Sequence, residues 1–208
     1  MNAEYHDYGW EDKPTHSTSF IYPVIRRMLR YDKGKRILDM GCGNGDLTCL
    51  LLADGFDIVG IDASPSGIEI ANRKYPGRFF VHDVSKDELP AAIANVPFDL
   101  VVSTEVIEHL YDPRTYLALA QKTLRAKRGE LILTTPYHGY LKNLALALLD
   151  QMDEHYTALW DGGHIKFWSR RTLTVLLDEC GFQVTDFRGA GRLPYLWKSM
   201  VVRARLRA

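Results

Sequence analysis

Apolar positions follow two alternating patterns along most of the chain. Short continuous apolar runs predict strands, and apolar positions three and four residues apart predict helices between them. The predicted strands are residues 36–39, 56–62, 78–83, 98–103, 130–135, 183–187 and 197–203. The predicted helices are residues 46–53, 65–74, 88–95, 115–126 and 170–179.

The strand–helix alternation predicts an α/β fold with a Rossmann-like, doubly wound, mainly parallel sheet of seven strands. No helical pattern separates the last two strands, so we expect them to pair antiparallel. In such sheets ligands bind beyond the carboxyl ends of the strands. The loops that follow the first five strands are therefore where we expect the chemistry.

Two segments lie outside the alternation, within what we predict to be one domain, residues 1–208. Residues 1–18 form an N-terminal cap segment, in which Tyr5, Tyr8 and Trp10 either cover a ligand or pack in the core. Residues 136–168 are long for a connection and are predicted to be a lid insertion. Its apolar positions 141, 144, 145, 148, 149 and 152 predict an amphipathic helix. We expect this helix to pack on its own domain or on a second copy in a homodimer, with peripheral membrane contact as the second interpretation.

Charge and cysteine content narrow the class of protein. The chain has 208 residues, with 26 Lys and Arg against 26 Asp and Glu, so its neutral balance argues against a nucleic-acid partner. Six basic residues and no acidic ones follow position 187, which we interpret as a solvated basic tail. Three cysteines without a CxxC pair, no signal-peptide pattern and no apolar run of about 20 residues indicate a cytoplasmic protein.

A glycine-rich turn follows the first strand and gives the sharpest chemical signal. Glycines let the backbone approach a ligand, and the amides of the next helix point toward it. The GxGxG spacing differs from the GxGxxG of dinucleotide sites, and Asp46 disfavours a pyrophosphate but tolerates a cationic ligand. The turn comprises Asp39, Met40, Gly41, Cys42, Gly43, Asn44 and Gly45.

Two further acids end the second and third strands. Asp62 stands where a carboxylate accepts both hydroxyls of a ribose in related folds, and Asp83 could accept from an adenine amino group. Each acid taken alone could instead cap a helix or form a turn, and for Asp62, followed by Ser64 and Pro65, capping is a serious rival.

These segments resemble the ordered motifs of class I S-adenosylmethionine-dependent methyltransferases. The resemblance rests on residues 37–45, 59–62, 82–83 and 98–103 and implies seven strands with the last antiparallel. It also implies S-adenosyl-L-methionine as cofactor, with the methionine part along the glycine turn, the ribose on Asp62 and the adenine on Asp83. The implied cofactor-binding residues are Asp39, Gly41, Cys42, Gly43, Asn44, Gly45, Asp62, Ala63, Asp83, Val84, Thr104 and Glu105.

A Glu-x-x-Glu-His segment follows the fourth strand. On a helix, Glu105, Glu108 and His109 would share one face, because they are three and four residues apart. Such a set could serve as a general base, or could hold a divalent metal such as Mg or Zn with His164 as the fourth ligand. A simple pairing of Glu108 and His109 with lid residues or solvent is the alternative.

Within the family, this segment and residues 163–173 look like the O-methyltransferases of ubiquinone biosynthesis. The expected activity is methyl transfer to an oxygen of a small hydrophobic or ring-containing acceptor, with His109 or His164 as the catalytic base or a metal lowering the acceptor pKa. His138 is a third candidate and a better structural donor. The alternatives are an N-methyltransferase, a non-catalytic cofactor-binding partner protein, and a metal-dependent RNA 3′-terminal 2′-O-methyltransferase, which the Glu-x-x-Glu-His segment also resembles.

Overall fold

Seven strands form a single sheet in the order β3-β2-β1-β4-β5-β7-β6 in the computed structural model of the chain. The structure describes residues 7, 9–86, 88–156 and 158–207. Strands β1 to β5 are parallel to one another, whereas β7 runs antiparallel to both β5 and β6. The predicted fold class, including the antiparallel last strand, is confirmed.

Most elements lie where the hydrophobic pattern predicts them. The strands are Arg36–Met40 (β1), Asp57–Asp62 (β2), Phe79–Val81 (β3), Leu100–Thr104 (β4), Glu130–Pro136 (β5), Phe182–Ala190 (β6) and Ser199–Leu206 (β7). The helices are Thr18–Met28 (α1), Asp46–Ala53 (α2), Pro65–Lys74 (α3), Ala91–Ala94 (α4), Pro113–Leu124 (α5), Tyr140–Leu148 (α6), Met152–Tyr156 (α7) and Arg170–Glu179 (α8).

Some bounds differ from the prediction for local reasons. The structure adds α1, which begins at the end of the weakly periodic N-terminal segment and carries a proline in its interior. Helix α5 begins earlier than predicted because Asp112 caps it and Pro113 occupies its first turn. Strands β6 and β7 extend beyond their apolar cores because pairing in the antiparallel ladder does not require apolar side chains.

The sheet is buried between helices on both faces. One core joins strand residues to α5 and α8, through side chains such as Tyr116, Leu117 and Leu176. The other joins the opposite face to α1 and α2, through Ile25 and Leu51 among others. Strand β5 is buried along its whole length, as expected for a strand covered on both sides.

This packing leaves the carboxyl ends of strands β1 to β5 open for a site. We call this end of the strands the site edge of the sheet. Register brings Thr104 of β4 beside Thr134 of β5, and Pro136 beside Ser199 of β7. The glycine turn, the Glu-x-x-Glu-His segment and the start of the predicted lid therefore meet at the same edge. None of the helices in the described part of the chain is long and apolar enough to cross a membrane.

The amphipathic helix predicted in the lid segment forms. Its apolar stripe does not pack on its own domain, which was one of the predicted arrangements. Helix α6 buries Lys142 and Leu146, which lie beside the predicted apolar stripe and outside it. The stripe itself is mostly exposed, at Leu141, Leu144, Leu148 and Leu149. The buried side is fixed by tertiary contact instead, because the Lys142 side chain reaches toward the sheet, where its Nζ lies 3.4 Å from the Lys198 carbonyl oxygen.

Candidate active site

The glycine turn closes tightly onto the neighbouring strand. Gly41, Gly43 and Gly45 all have left-handed backbone conformations, with φ of 83°, 55° and 75°. The amides of Gly41 and Cys42 donate to the Ile61 carbonyl oxygen at 2.8 and 3.0 Å. The turn then leads directly into α2, whose N-terminal amides face the same edge. This geometry is a cradle that a small polar ligand can approach closely.

Asp62 is bound into the same cradle. Its Oδ2 accepts from the Gly43 amide at 2.8 Å, and its Oδ1 accepts from the Ser64 amide at 2.9 Å. Burial raises the pKa of this carboxyl above its ordinary value, against the lowering effect of the two amides. The N-cap of α3 is Ser64 rather than Asp62, because the Ser64 hydroxyl accepts from the Gly67 amide. Asp62 therefore does not cap α3, but its bond to the amide two residues on forms a turn, which is the other local interpretation.

The other two predicted acids have different surroundings. Asp39 is fully buried, accepts from the Thr48 hydroxyl with one oxygen, and has no hydrogen-bond partner among the described residues for its Oδ1. Its burial raises its pKa to about 7. Asp83 instead accepts from the amide and hydroxyl of Ser85, at 2.9 and 2.7 Å, so it acts as a turn former.

The remaining predicted cofactor residues surround these acids. Cys42 and Val84 are buried, and Thr104 ends β4 beside the site. The Asn44 amide donates to the carbonyl oxygens of Glu11 and Lys13 at 2.9 and 3.0 Å. The register of β2 with β3 places Asp62 beside Val81, two residues before Asp83, so the two acids stand at the ends of neighbouring strands. Ala63 joins Asp62 to the N-cap of α3.

Part of the N-terminal segment lies over the glycine turn. A Cβ on Gly43 would lie 2.6 Å from the Trp10 ring, and one on Gly67 would lie 2.8 Å from the same ring. The Asp7 carboxylate accepts from Ser64 and Ser66 at the start of α3. Trp10 thus packs over the turn, and its contact with a ligand stays a prediction, whereas Tyr5 and Tyr8 lie outside the described residues.

Glu105 does not share a helix face with Glu108 and His109. It has a left-handed backbone with φ of 53°, and only Ile107–His109 form a short 3₁₀ helix. The condition for a shared face, a helix over residues 105–109, is not met, because the chain turns sharply after β4. Glu105 accepts from the Thr134 hydroxyl at 2.7 Å and from the Ser199 hydroxyl at 2.9 Å. Its burial raises its pKa to about 7.

Glu108, His109 and His164 form a compact cluster. One ligand atom from each side chain lies within 4.8 Å of the other two, and His164 Nε2 is 4.0 Å from Glu108 Oε1. The chain holds His164 there because the amides of Ile165 and Lys166 donate to the Glu108 carbonyl oxygen. His109 Nδ1 lies 2.9 Å from the Gly162 carbonyl oxygen. A carbonyl only accepts, so Nδ1 carries the proton and Nε2 stays unprotonated.

Burial decides the charges in this cluster. It raises the pKa of Glu108 well above the ordinary value, with the Glu105 charge as a second cause. It lowers the pKa of His109 and lowers that of His164 to about 4. Both imidazoles are therefore neutral at pH 7, which suits a proton acceptor or a metal ligand. Neither Glu108 oxygen has a hydrogen-bond partner in the described part of the chain, and a divalent cation fits that orphaned carboxylate.

A second polar group lies beyond this cluster, and sequence reasoning found only one of its members. His138 follows β5 and is buried, with His155, Tyr156 and Phe167 packed around its ring. Burial lowers the pKa of His138 to about 3 and that of His155 to about 4. Lys142 is 4% exposed and lies within electrostatic reach of both. The sequence pattern did not indicate a role for Lys142, because it appears there only as one lysine in an otherwise apolar helix.

Comparison with known proteins agrees with this geometry. A family model described as a methyltransferase domain matches residues 16–186. A ubiquinone biosynthesis O-methyltransferase from Ruegeria sp. is 31% identical, over 95% of this chain and 85% of that protein. One from Azorhizobium caulinodans is 32% identical, over 91% and 79%. The crystal structure of magnesium protoporphyrin IX methyltransferase from Synechocystis PCC 6803 with bound SAH has a TM-score of 0.66, with 19% identity over 90% of this chain and 82% of that one.

Proposed function

Because this chain belongs to the S-adenosylmethionine-dependent methyltransferases, we propose that it transfers the cofactor's methyl group to an oxygen of a small, hydrophobic or ring-containing acceptor. Two relatives that cover most of the chain are named as O-methyltransferases, which supports oxygen as the accepting atom. The single observation that carries the proposal is the cluster of His109 and His164 with the buried Glu108, at the same end of the strands as the glycine turn.

The cofactor would lie along the glycine turn, where the positive φ angles and the helix amides leave room for a close approach. The Asp62 carboxylate, fixed by two backbone amides, would accept from the ribose hydroxyls. Asp39, Gly41 to Gly45, Thr104 and Glu105 would line the methionine part, with Ala63 near the ribose and Asp83 and Val84 near the adenine. The bound cofactor supplies a methyl group on a sulfonium, which needs no further activation.

The chain's own task is then to align the acceptor and remove its proton. A phenol has an ordinary pKa near ~10 and must lose or share its proton for fast attack at pH 7. His109 Nε2 is unprotonated and is the first candidate to accept that proton, because a pKa of about 4 makes His164, the second candidate, a weak base. The lid aromatic Trp160 packs edge-on against both imidazoles, which favours a ring-containing acceptor.

We also propose that Glu108, His109 and His164 hold a divalent cation. One carboxylate and two imidazoles form a donor set that suits such a metal, and the buried Glu108 carboxylate gains a counter-charge from it. A bound cation would lower the pKa of an acceptor hydroxyl, and this route is an alternative to the histidine bases, because an imidazole nitrogen that binds a metal cannot also accept a proton. Glu105 is not part of this proposal, since its oxygens accept from Thr134 and Ser199.

The test measures cofactor binding and methyl transfer separately. Calorimetry with S-adenosylmethionine reports the first, and transfer of tritiated methyl to an alkylcatechol reports the second. The matched acceptor is the corresponding diamine, which offers nitrogen in place of oxygen. We expect methylation of the catechol. Cofactor binding with methylation of the diamine alone would contradict the O-methyl assignment, and binding with no transfer to either would favour a non-catalytic binding protein.

A further inference from the structure

The chain is neutral as a whole, but it contains one strongly basic segment, residues 26–36, which runs from the last turn of α1 into β1. This segment has six Lys and Arg and a single acid, Asp32. Asp32 is buried and binds the Arg203 guanidinium through both oxygens, at 2.9 and 3.1 Å. It also pairs with Lys35. Because this acid is already shared by two bases, it does not offset the other bases of the segment.

Four of those bases line one cavity of about 650 Å³. Its volume falls within the range of ligand pockets, about 300–1,000 Å³. The cavity lies between the second half of α1 and the junction of α2 with β2, away from the site edge of the sheet. Helix α2 begins at the glycine turn and ends beside the cavity, and its eight residues span about 12 Å. The lining consists of Tyr22, Pro23, Arg26, Arg27, Arg30, Lys33, Asp54 and Phe56.

Asp54 is the only acid among the described residues that line this cavity. Its Oδ2 accepts from the Tyr22 hydroxyl at 2.7 Å and from Arg26 Nε at 2.8 Å. The Lys33 ammonium donates to the Asp54 backbone carbonyl oxygen at 2.9 Å and forms no ion pair with the carboxylate. The carboxylate is therefore committed to Arg26, and four bases face one acid in the cavity.

Arg27, Arg30 and Lys33 form no ion pair within the described part of the chain. Arg27 lies in the last turn of α1, where the carbonyl end of a helix favours a cation. That effect does not account for Arg30 and Lys33, which follow the end of the helix. The Arg30 guanidinium stacks on the Tyr31 ring, 4.5 Å from its centroid, and this stacking leaves the N–H donors at the guanidinium edge for another group.

The number of bases sets the charge of the ligand that the cavity would hold. A single phosphate carries at most about two negative charges at pH 7, which is fewer than the three bases that lack an ion pair. The cavity offers little ring surface for a nucleobase, because Phe56 is 5% exposed and lies under the Lys33 ammonium. A chain of phosphates therefore matches the lining better than a monophosphate or a nucleoside.

From this excess of positive charge in a concave site, we propose that the cavity binds a small polyphosphate anion, whose phosphates lie among Arg27, Arg30 and Lys33. Arginine forks and lysine ammonium groups are the side chains that recognise phosphate oxygens. The inference goes beyond the proposed function and does not depend on it, since the cavity and the glycine turn lie at opposite ends of α2.

Binding is tested by calorimetry with inorganic triphosphate. The protein and buffers are first freed of divalent cations, so that triphosphate cannot bind through a metal at the Glu108 cluster. We expect triphosphate to bind at least about tenfold more tightly than monophosphate, and ATP to bind as tightly as triphosphate. Saturating S-adenosylhomocysteine should leave these affinities unchanged. Equal binding of monophosphate and triphosphate would overturn the proposal, and so would competition with S-adenosylhomocysteine, which would place the anion at the glycine turn.

Charge reversal identifies the cavity as the place of binding. Arg27→Glu and Arg30→Glu should each weaken triphosphate binding at least about tenfold, because each replaces an attraction by a repulsion. The matched control is Arg73→Glu. Arg73 is an exposed arginine in the last turn of α3, as Arg27 is in the last turn of α1, and it does not line the cavity. This variant loses the same interaction with the helix end and should keep the wild-type affinity.

Two further comparisons complete the test. Arg27→Gln removes the charge without adding an acid, and it should give an affinity between those of the wild type and Arg27→Glu. Equal losses in Arg27→Glu and Arg73→Glu would indicate only a general attraction to the protein and would overturn the proposal. Vesicles that contain phosphatidylglycerol and a single-stranded RNA oligonucleotide are measured beside triphosphate at physiological salt. Binding to either of them without binding of triphosphate would also overturn it, since the basic segment would then face a macromolecular surface.

Discussion

The candidate site at the carboxyl ends of the strands has two ends, and they differ in how many of their buried polar groups have hydrogen-bond partners. At the glycine end, which comprises the glycine turn and Asp62, both carboxylate oxygens of Asp62 accept from backbone amides. At the histidine end, which comprises the Glu108 cluster and His138, both Glu108 oxygens and both His138 nitrogens have no hydrogen-bond partner among the described residues. A buried polar group without a partner costs about 1–3 kcal/mol.

This difference shows which end is preorganised by the fold and which end depends on a ligand. The glycine end is held by hydrogen bonds between the turn after β1 and the end of β2, and its one exception named above is the Oδ1 of the buried Asp39, which has no hydrogen-bond partner among the described residues. The histidine end contains neutral imidazoles and a carboxylate without a hydrogen-bond partner among the described residues, and a ligand could bind to both. A methyltransferase that binds one cofactor and aligns a variable acceptor would divide its site in this way.

The largest expected effect sharpens the comparison at the glycine end. Asp62→Ala removes the carboxylate that would accept from the ribose hydroxyls, and it leaves the Gly43 amide without its acceptor. Charge-assisted hydrogen bonds contribute ~1.5–3 kcal/mol each, so we expect S-adenosylmethionine to bind about a hundredfold more weakly. Calorimetry measures the change. The control is Asp57→Ala at the other end of the same strand, whose exposed pairing with Arg78 should contribute little. Retained wild-type affinity in Asp62→Ala would remove the ribose assignment.

The next effect tests whether the orphaned carboxylate holds a metal. Glu108→Gln should weaken binding of Mn²⁺ or Zn²⁺ by at least about tenfold, as changes around metal sites typically do. Glu105→Gln is the matched variant, since a glutamine can still accept from Thr134 and donate to Ser199. We expect it to keep metal affinity. Elemental analysis and metal titration give the answer, and equal losses in both variants would restore Glu105 to the ligand set.

The glycine end was also the more predictable end, for a physical reason. Its residues are close in sequence, and the turn, the acid at the end of β2 and the helix that follows obey local rules of backbone conformation. The bounds of α2 and α3 accordingly match the prediction residue for residue. Asp83 forms the local turn with Ser85 that the alternative interpretation predicts, and its contact with adenine stays a prediction.

The histidine end depends on contacts between distant residues, which no periodicity reveals. His164 meets Glu108 across 56 positions because backbone amides after His164 bind the Glu108 carbonyl oxygen. Glu105 lies apart from Glu108 and His109, and its side chain is held by Thr134 and Ser199. Helix α6 buries Lys142 and Leu146, whereas the leucines of the predicted stripe are exposed. In each case tertiary contact outweighed the local pattern.

A pH experiment tests the histidine end as a whole. The ordinary pKa of His138 is 6.5, and burial lowers it to about 3, so the unfolded chain takes up this proton first as the pH falls. Stability is therefore complete above pH 6.5 and is lost toward acid, by roughly 2 kcal/mol between pH 6.5 and 5 for this group. Urea unfolding should show that His138→Phe loses less stability over this interval than the wild type. Equal losses would show that His138 does not stay neutral.

The smallest effect tests whether Trp10, which packs over the glycine turn, contributes to the stability and cofactor affinity of the glycine end. Gly43 and Gly77 both have left-handed backbones, with φ of 55° and 76°, but only a Cβ on Gly43 meets another side chain, the Trp10 ring at 2.6 Å. Both alanine substitutions cost the backbone strain of about 1–2 kcal/mol. Gly43→Ala should cost roughly 1 kcal/mol more from overpacking and should also weaken cofactor binding, whereas Gly77→Ala should not. Because the two changes share their strain, the difference measures the contact with Trp10 alone. Identical unfolding free energies and affinities would mean that Trp10 moves aside freely, and the cover would then be no part of the preorganised surface.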